Sequence, residues 1–203
     1  MASHSGPKSD SSTIALGTPT DEEQFSAWAI TSSEWKGPLP FEAYINREKY
    51  LSNQEATKNG GIRFWILYDT AEVLEKSQQR TILASCETLK RKAIISYCVN
   101  GSWKLEEVIS YGVASVFCRK EFRMKGYARR MIAELGHILD SSQNHIMGPE
   151  RCAFSVLYSV VGMVIPHTLL GIQSTKSYRS STHTRNSTAF LQADFRFGIE
   201  QRK

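Results

Sequence analysis

Residues 110–139 read SYGVASVFCRKEFRMKGYARRMIAELGHIL, and the order of residue types in this stretch decides the fold. Its first part, GVASVFC over 112–118, is apolar and β-branched, as a buried strand is. Residues 126–140 instead follow the helical period. Ala128, Met131, Ile132, Leu135, Ile138 and Leu139 fall at i, i+3, i+4, i+7, i+10 and i+11, one continuous apolar face. Arg129, Arg130, Glu134 and His137 lie mainly off that face. Between strand and helix runs a cationic loop, Arg123-Met124-Lys125-Gly126-Tyr127-Ala128. A glycine turn opening a helix is a place where backbone N–H groups converge on a phosphate, because the first turn's amides lack intrahelical acceptors and carry the positive end of the helix dipole.

Outward from this unit, short elements come in a readable order. Residues 13–16 (TIAL) are a short strand in an otherwise Ser/Thr/Pro/Gly-rich, mobile segment, 1–19. Thr20 with Glu23 forms a capping box that opens a helix through Trp28. A turn at Lys36-Gly37-Pro38 precedes a helix over 41–51. Strands are expected over 64–68 and 81–89. Residues 93–99 either extend the second strand or form a hairpin with the residues after 101, since Asn100-Gly101 is a strong hairpin turn. A last strand covers 151–159. Strands 112–118 and 151–159, joined by a helix, imply a parallel pair. The expected class is therefore α/β (α+β), with a mixed central sheet and a strand–loop–helix–strand unit.

Composition narrows the function classes mildly. At 203 residues the chain is long enough for one domain that buries roughly two-thirds of its unfolded surface. The net charge of +5 is concentrated at one end: residues 160–203 carry six basic and two acidic side chains, a net of +4. Cys86, Cys98, Cys118 and Cys152 have no metal-ligand spacing and fall in apolar runs. Buried reduced thiols, no bound metal and a cytoplasmic location are expected. The N-terminus has no apolar run of the secretory kind. Residues 154–172 are apolar but broken by Ser155, Tyr158, Ser159, Pro166 and His167, so no membrane span is expected.

Arg123, Gly126 and Ala128 match the Arg/Gln-x-x-Gly-x-Gly/Ala pattern, and the chain here resembles the GNAT superfamily of acyl-CoA-dependent N-acetyltransferases. Four further runs, EWKG at 34–37, ILASCET at 82–88, YGVASVFCR at 111–119 and FSVLYS at 154–159, resemble the fungal lysine N-acetyltransferase family of lysine catabolism. The resemblance spans roughly residues 20–159. It implies acetyl-CoA as acetyl donor and a small-molecule amine, lysine above all, as acceptor. The amides of Met124, Lys125, Gly126, Tyr127, Ala128 and Arg129 would cradle the pyrophosphate, with Arg123 completing the signature. Ser115, Val116 and Phe117 would offer backbone groups to the pantetheine arm. Gly126 has no side chain to block that approach.

The resemblance also implies a base, because a lysine amine with pKa near 10.4 is neutral in only about one molecule in 2,500 at pH 7. Glu87, beside the cofactor strand, is the candidate; Tyr158 is a second residue that could touch substrate. After Ser159 the resemblance stops. Residues 160–203 become Ser/Thr-rich, with nine Ser or Thr between Ser174 and Thr188. The expectation is a basic, poorly ordered tail from an aberrant end (retained intron, frameshift or misassigned exon), with the C-terminal helix and final strands of the fold missing. Two other readings stay open: a non-catalytic acyl-CoA-binding fragment, and a nucleic-acid-binding protein acting through the tail. The second is weakened by the absence of a dense Arg cluster or interleaved aromatics.

Overall fold

A computed structural model of the chain describes residues 6–74, 79–140 and 152–157. The elements run β1 (Ile14–Gly17), α1 (Asp21–Trp35), α2 (Phe41–Ser52), β2 (Ile62–Leu74), β3 (Gln79–Val99), β4 (Ser102–Cys118), a 3₁₀ turn at Lys120–Phe122, α3 (Tyr127–Asp140) and β5 (Cys152–Leu157). The five strands form one sheet in chain order. Neighbours from β1 to β4 are antiparallel, and β4–β5 is the parallel pair expected across the α3 crossover. The expected α/β class, with its mixed sheet and strand–loop–helix–strand unit, is what the chain forms. The basic tail, its order, and the expected loss of later elements fall on residues outside those described.

Two cores hold the sheet between helices. On one face the α3 stripe, Met131, Ile132, Leu135 and Leu139, packs with Trp65, Leu67, Cys86, Tyr111, Val113 and Cys152. Met131 and Leu135 are essentially fully buried, so the helical periodicity reads out as packing. Ala128 and Ile138 are half-buried, and Tyr127 joins the buried face. On the other face Ala27 of α1 packs with Ile66 and Ile82, and Ile30 and Tyr68 border them.

Helix α1 begins at the expected capping box: Thr20 Oγ1 accepts from the Glu23 amide at 3.2 Å and Glu23 accepts from the Thr20 amide at 2.9 Å. The helix runs on past Trp28 to Trp35, further than its residue types suggest. The hydroxyls of Thr31, Ser32 and Ser33 donate to carbonyls three residues back, so residues that usually favour turns are satisfied inside the helix. Strand β3 likewise continues unbroken to Val99. Asn100 (φ +51°) and Gly101 (φ +79°) then make a turn with two left-handed residues, and β4 starts at Ser102, ten residues earlier than expected. Beyond the Ile62–Leu89 pairing, where β2 begins, β3 and β4 continue together as a ribbon exposing Ile94, Trp103 and Leu105.

That ribbon explains one departure from expectation. All four cysteines are free, and Cys86 and Cys152 are buried with Cys118 partly so, but Cys98 lies on the ribbon and is exposed. Burial drives the Cys86 thiol pKa well up and that of Cys152 to about 11, so both stay protonated at neutral pH.

Glu23 has a second task. With 2% of its surface exposed, its carboxylate accepts from Arg80 Nε at 2.8 Å and the Arg80 amide at 3.0 Å, and pairs with Arg80 Nη2. Arg80 in turn lies over the Tyr68 ring at 4.0 Å. The guanidinium holds the Glu23 pKa down from 4.5 to about 2. A depressed carboxylate pKa contributes stability that is complete above the unfolded value and drains as pH falls through the folded one. Glu23→Ala should therefore cost about 3 kcal/mol in urea unfolding at pH 7. The same variant should flatten the loss of stability that the parent shows between about pH 4.5 and pH 2.

Candidate active site

The cationic loop is held to the end of β4 by Arg123. Its Nε donates to the Cys118 carbonyl at 3.1 Å, its Nη2 pairs with Glu34 at 3.2 Å, and its guanidinium lies 5.6 Å from the Phe117 ring centroid. Lys120 Nζ reaches the same Glu34 carboxylate at 3.4 Å. These cations hold the Glu34 carboxyl below its ordinary pKa, Arg123 first and Lys120 second. Arg123 thus anchors the loop to α1 and β4 with its side chain.

Past Arg123 the backbone turns left-handed twice, at Met124 (φ +62°) and Gly126 (φ +86°). The first bond of α3 runs from the Arg130 amide to the Gly126 carbonyl at 3.0 Å, so the amides of Tyr127, Ala128 and Arg129 precede the helical ladder. Alternating handedness ahead of a helix start builds an anion-binding concavity. Met124 is fully exposed, so its bulk is directed away from the chain. Lys125 and Arg129 are also exposed, whereas the Tyr127 side chain is buried and leaves only its amide to the concavity.

The N-terminal segment packs against this turn. Tyr127 Oη donates to the Pro7 carbonyl, and Arg130 donates to the carbonyls of Ser9 (2.7 Å), Ser11 (2.6 Å) and Ile14 (2.7 Å) while pairing with Glu134 at 2.6 Å. A Cβ at Gly126 would stand 2.8 Å from Ser9 Oγ. Gly126 is therefore required twice, by its φ and by this close approach.

The second half of the site lies one strand back. Ser85 pairs with Phe117 and Glu87 with Ala114, so β4 carries one extra residue opposite Cys86. This β-bulge includes Ser115, at φ +53°. Val116 packs into the α3-side core, and Phe117 meets Trp35 of α1 edge-on at 5.6 Å. Ser115 Oγ donates to Glu87 Oε1 at 2.7 Å. Burial pushes the Glu87 carboxyl above its ordinary pKa, the Ser115 hydroxyl pulls it back, and the charge of Glu48 on α2 adds to the rise. A half-buried carboxylate poised upward is what a proton acceptor for an amine needs.

The structure thus brings Glu87 together with Ser115, Val116 and Phe117, and places Arg123 to Arg129 directly after β4. Tyr158 lies outside the described residues. Residue types alone do not reveal the contact of Glu34 with Arg123, that of Ser115 with Glu87, or the grip of Arg130 on the N-terminal segment. Glu34 does fall in the EWKG run at 34–37. Among the described residues no cluster of His, Cys, Asp and Glu could hold a metal ion, and no helix is long and apolar enough to cross a membrane.

No family model matches the chain. It is 27% identical over 161 residues to the uncharacterized protein YGR111W of Saccharomyces cerevisiae, covering 69% of this chain and 38% of that one. It is 29% identical over 102 residues to a lysine acetyltransferase of Yarrowia lipolytica, covering 50% of this chain and 23% of that one. The chain therefore spans well under half the length of these curated relatives. Among solved structures, an acetyltransferase of Trypanosoma brucei aligns with a TM-score of 0.46 at 15% identity, over 88% of this chain and 99% of the other. Arabidopsis thaliana NAA60, in complex with a bisubstrate analogue, aligns with a TM-score of 0.48 at 13% identity, over 77% and 81%.

Gly126→Ala should lower stability by about 1–2 kcal/mol, the cost of a Cβ in the left-handed region. Ser9→Ala added to it should restore only the part due to the close contact. Chemical denaturation of the single and double variants measures both.

Proposed function

We propose that the chain is an acetyl-CoA-dependent N-acetyltransferase of the GNAT type whose acceptor is a primary amine, most specifically the ε-amino group of lysine. The observation that carries this reading is the adjacency of two built features. One is a left-handed loop with free helix-start amides directly after β4. The other is a bulge in β4 that sets Ser115 against a half-buried carboxylate. The match to a protein named as a lysine acetyltransferase supports the acceptor class.

The residues present fit coenzyme A. Its pyrophosphate needs backbone donors, and the left-handed turn at Gly126 is followed by the helix-start amides of Tyr127, Ala128 and Arg129, which precede the helical ladder. When bound, the cofactor supplies an acetyl group activated as a thioester. Met124 to Arg129 would hold the phosphates by amides, with Lys125 and Arg129 adding charge. The interrupted ladder at Ser115 and Val116 leaves backbone groups for the pantetheine arm, and an amide there would polarise the thioester carbonyl.

Glu87 takes one proton from the ammonium of the acceptor. The neutral nitrogen attacks the carbonyl carbon, a C–N bond forms and the C–S bond breaks. The second nitrogen proton leaves with sulfur, giving amide and thiol, and Glu87 returns its proton to water. Because burial raises the Glu87 pKa, turnover falls on the acid side as pH drops through that raised value.

Thiol release from acetyl-CoA with lysine as acceptor tests the reading. Glu87→Gln should lower kcat by about 10²–10⁴-fold and abolish the acid limb, with the KM for acetyl-CoA little changed. Coenzyme A should raise the Tm of the parent and not of Gly126→Asp. A Tm rise without turnover would instead mark an acyl-CoA-binding module. A rise with RNA and none with coenzyme A at millimolar concentration would favour nucleic-acid binding and sink the proposal.

A further inference from the structure

We propose that Ser115 is a positioning residue: its hydroxyl, aimed by the β4 bulge, fixes the Glu87 carboxylate so that one oxygen is committed and the other is free to face the acceptor amine. The inference rests on the reading of Glu87 as the base and goes beyond it, because it assigns a task to a side chain where only a backbone group was expected.

Strand geometry makes the case. Side chains alternate between faces along a strand, and Ala114, paired directly with Glu87, shares its face. In a regular ladder Ser115 would project to the opposite face, toward α3. The extra residue breaks the alternation. Val116 takes the α3 side, Phe117 the α1 side, and Ser115 is re-aimed onto Glu87 at 2.7 Å.

The re-aiming has a conformational cost. Ser115 sits at φ +53°, where glycine is the residue without strain, and residues held in such regions persist where the surroundings over-determine them. Glycine would make the same bulge with less strain, but it has no hydroxyl to give.

Among the described residues, the rest of the Glu87 environment offers no equivalent grip. Its neighbours on the same face of the sheet are Phe64 and Ala114. From α2, Tyr44 and Glu48 lie near enough to interact with it electrostatically. Tyr44 Oη is engaged with Thr31 Oγ1 at 3.0 Å, and Glu48 is paired with Arg47 at 2.7 Å and bears the same charge as Glu87. The hydroxyl that reaches Glu87 is that of Ser115, and donation to Oε1 leaves Oε2 for the substrate.

The test uses the full chain with ¹³C-labelled glutamate carboxyls, the Glu87 signal being assigned by its loss in Glu87→Gln. Ser115→Ala removes the hydroxyl and keeps the strain; Ser115→Gly removes both. Since the hydroxyl stabilises the carboxylate, both variants should titrate Glu87 about 0.5–1 pH unit higher than the parent. The acid limb of kcat should move with it while the KM for acetyl-CoA holds. Ser115→Gly should be the more stable of the two. An unchanged Glu87 titration in both folded variants overturns the proposal. If the titration moves and the acid limb does not, the hydroxyl grip stands and the assignment of Glu87 as base fails, which overturns the positioning role along with it. The two failures are thereby told apart.

Discussion

Everything functional in this chain depends on where the amphipathic stripe of α3 seats on the sheet. Met131 and Leu135 are sealed against Trp65, Leu67 and Val113, and burial of such side chains is worth about 1.5–3 kcal/mol each. Only residues 119–126 separate the end of β4 from the start of this helix. Once the stripe is fixed, that short connection has little freedom, and its two left-handed residues sit directly ahead of the helix-start amides. Hydrophobic packing on one face thus places a polar concavity at its border.

The opposite face of the sheet carries Glu87, the base proposed above. Helix α1 packs on Phe64 and Ile66, and Trp35 and Glu34 at its end reach Phe117 and Arg123. The candidate site is therefore bordered by α3 on one face of the sheet and by α1 on the other. Strand β4 borders both, and its bulge at Ser115 turns a side chain onto Glu87. Arg130 ties the N-terminal segment to the same helix turn, so β1 and the loop are mechanically linked.

How much of this was legible in the sequence depends on the range of each interaction. The α3 stripe, the Thr20–Glu23 capping box, the Asn100-Gly101 turn and the order of strands are local patterns, and each formed as its residues imply. The glycine loop was visible because its conformation depends on local backbone freedom. The bulge was not, since a serine at positive φ leaves no compositional mark. Nor were Ser115 to Glu87, Glu34 to Arg123 and Arg130 to Ser9, which join residues 28, 89 and 121 positions apart. Two element ends differ from expectation for different reasons: β4 reaches back to Ser102 because β3 offers it a partner, and α1 runs to Trp35 because its hydroxyls bond within the helix.

The claim that this loop and bulge form one cofactor site is tested most directly by following backbone amide resonances while coenzyme A is added. The account predicts that the amides of Met124 to Arg129 and of Ser115 to Phe117 shift together along a single saturation curve, with those of the β3–β4 ribbon tip unmoved. Shifts confined to residues away from the loop, or none at millimolar coenzyme A, would contradict it.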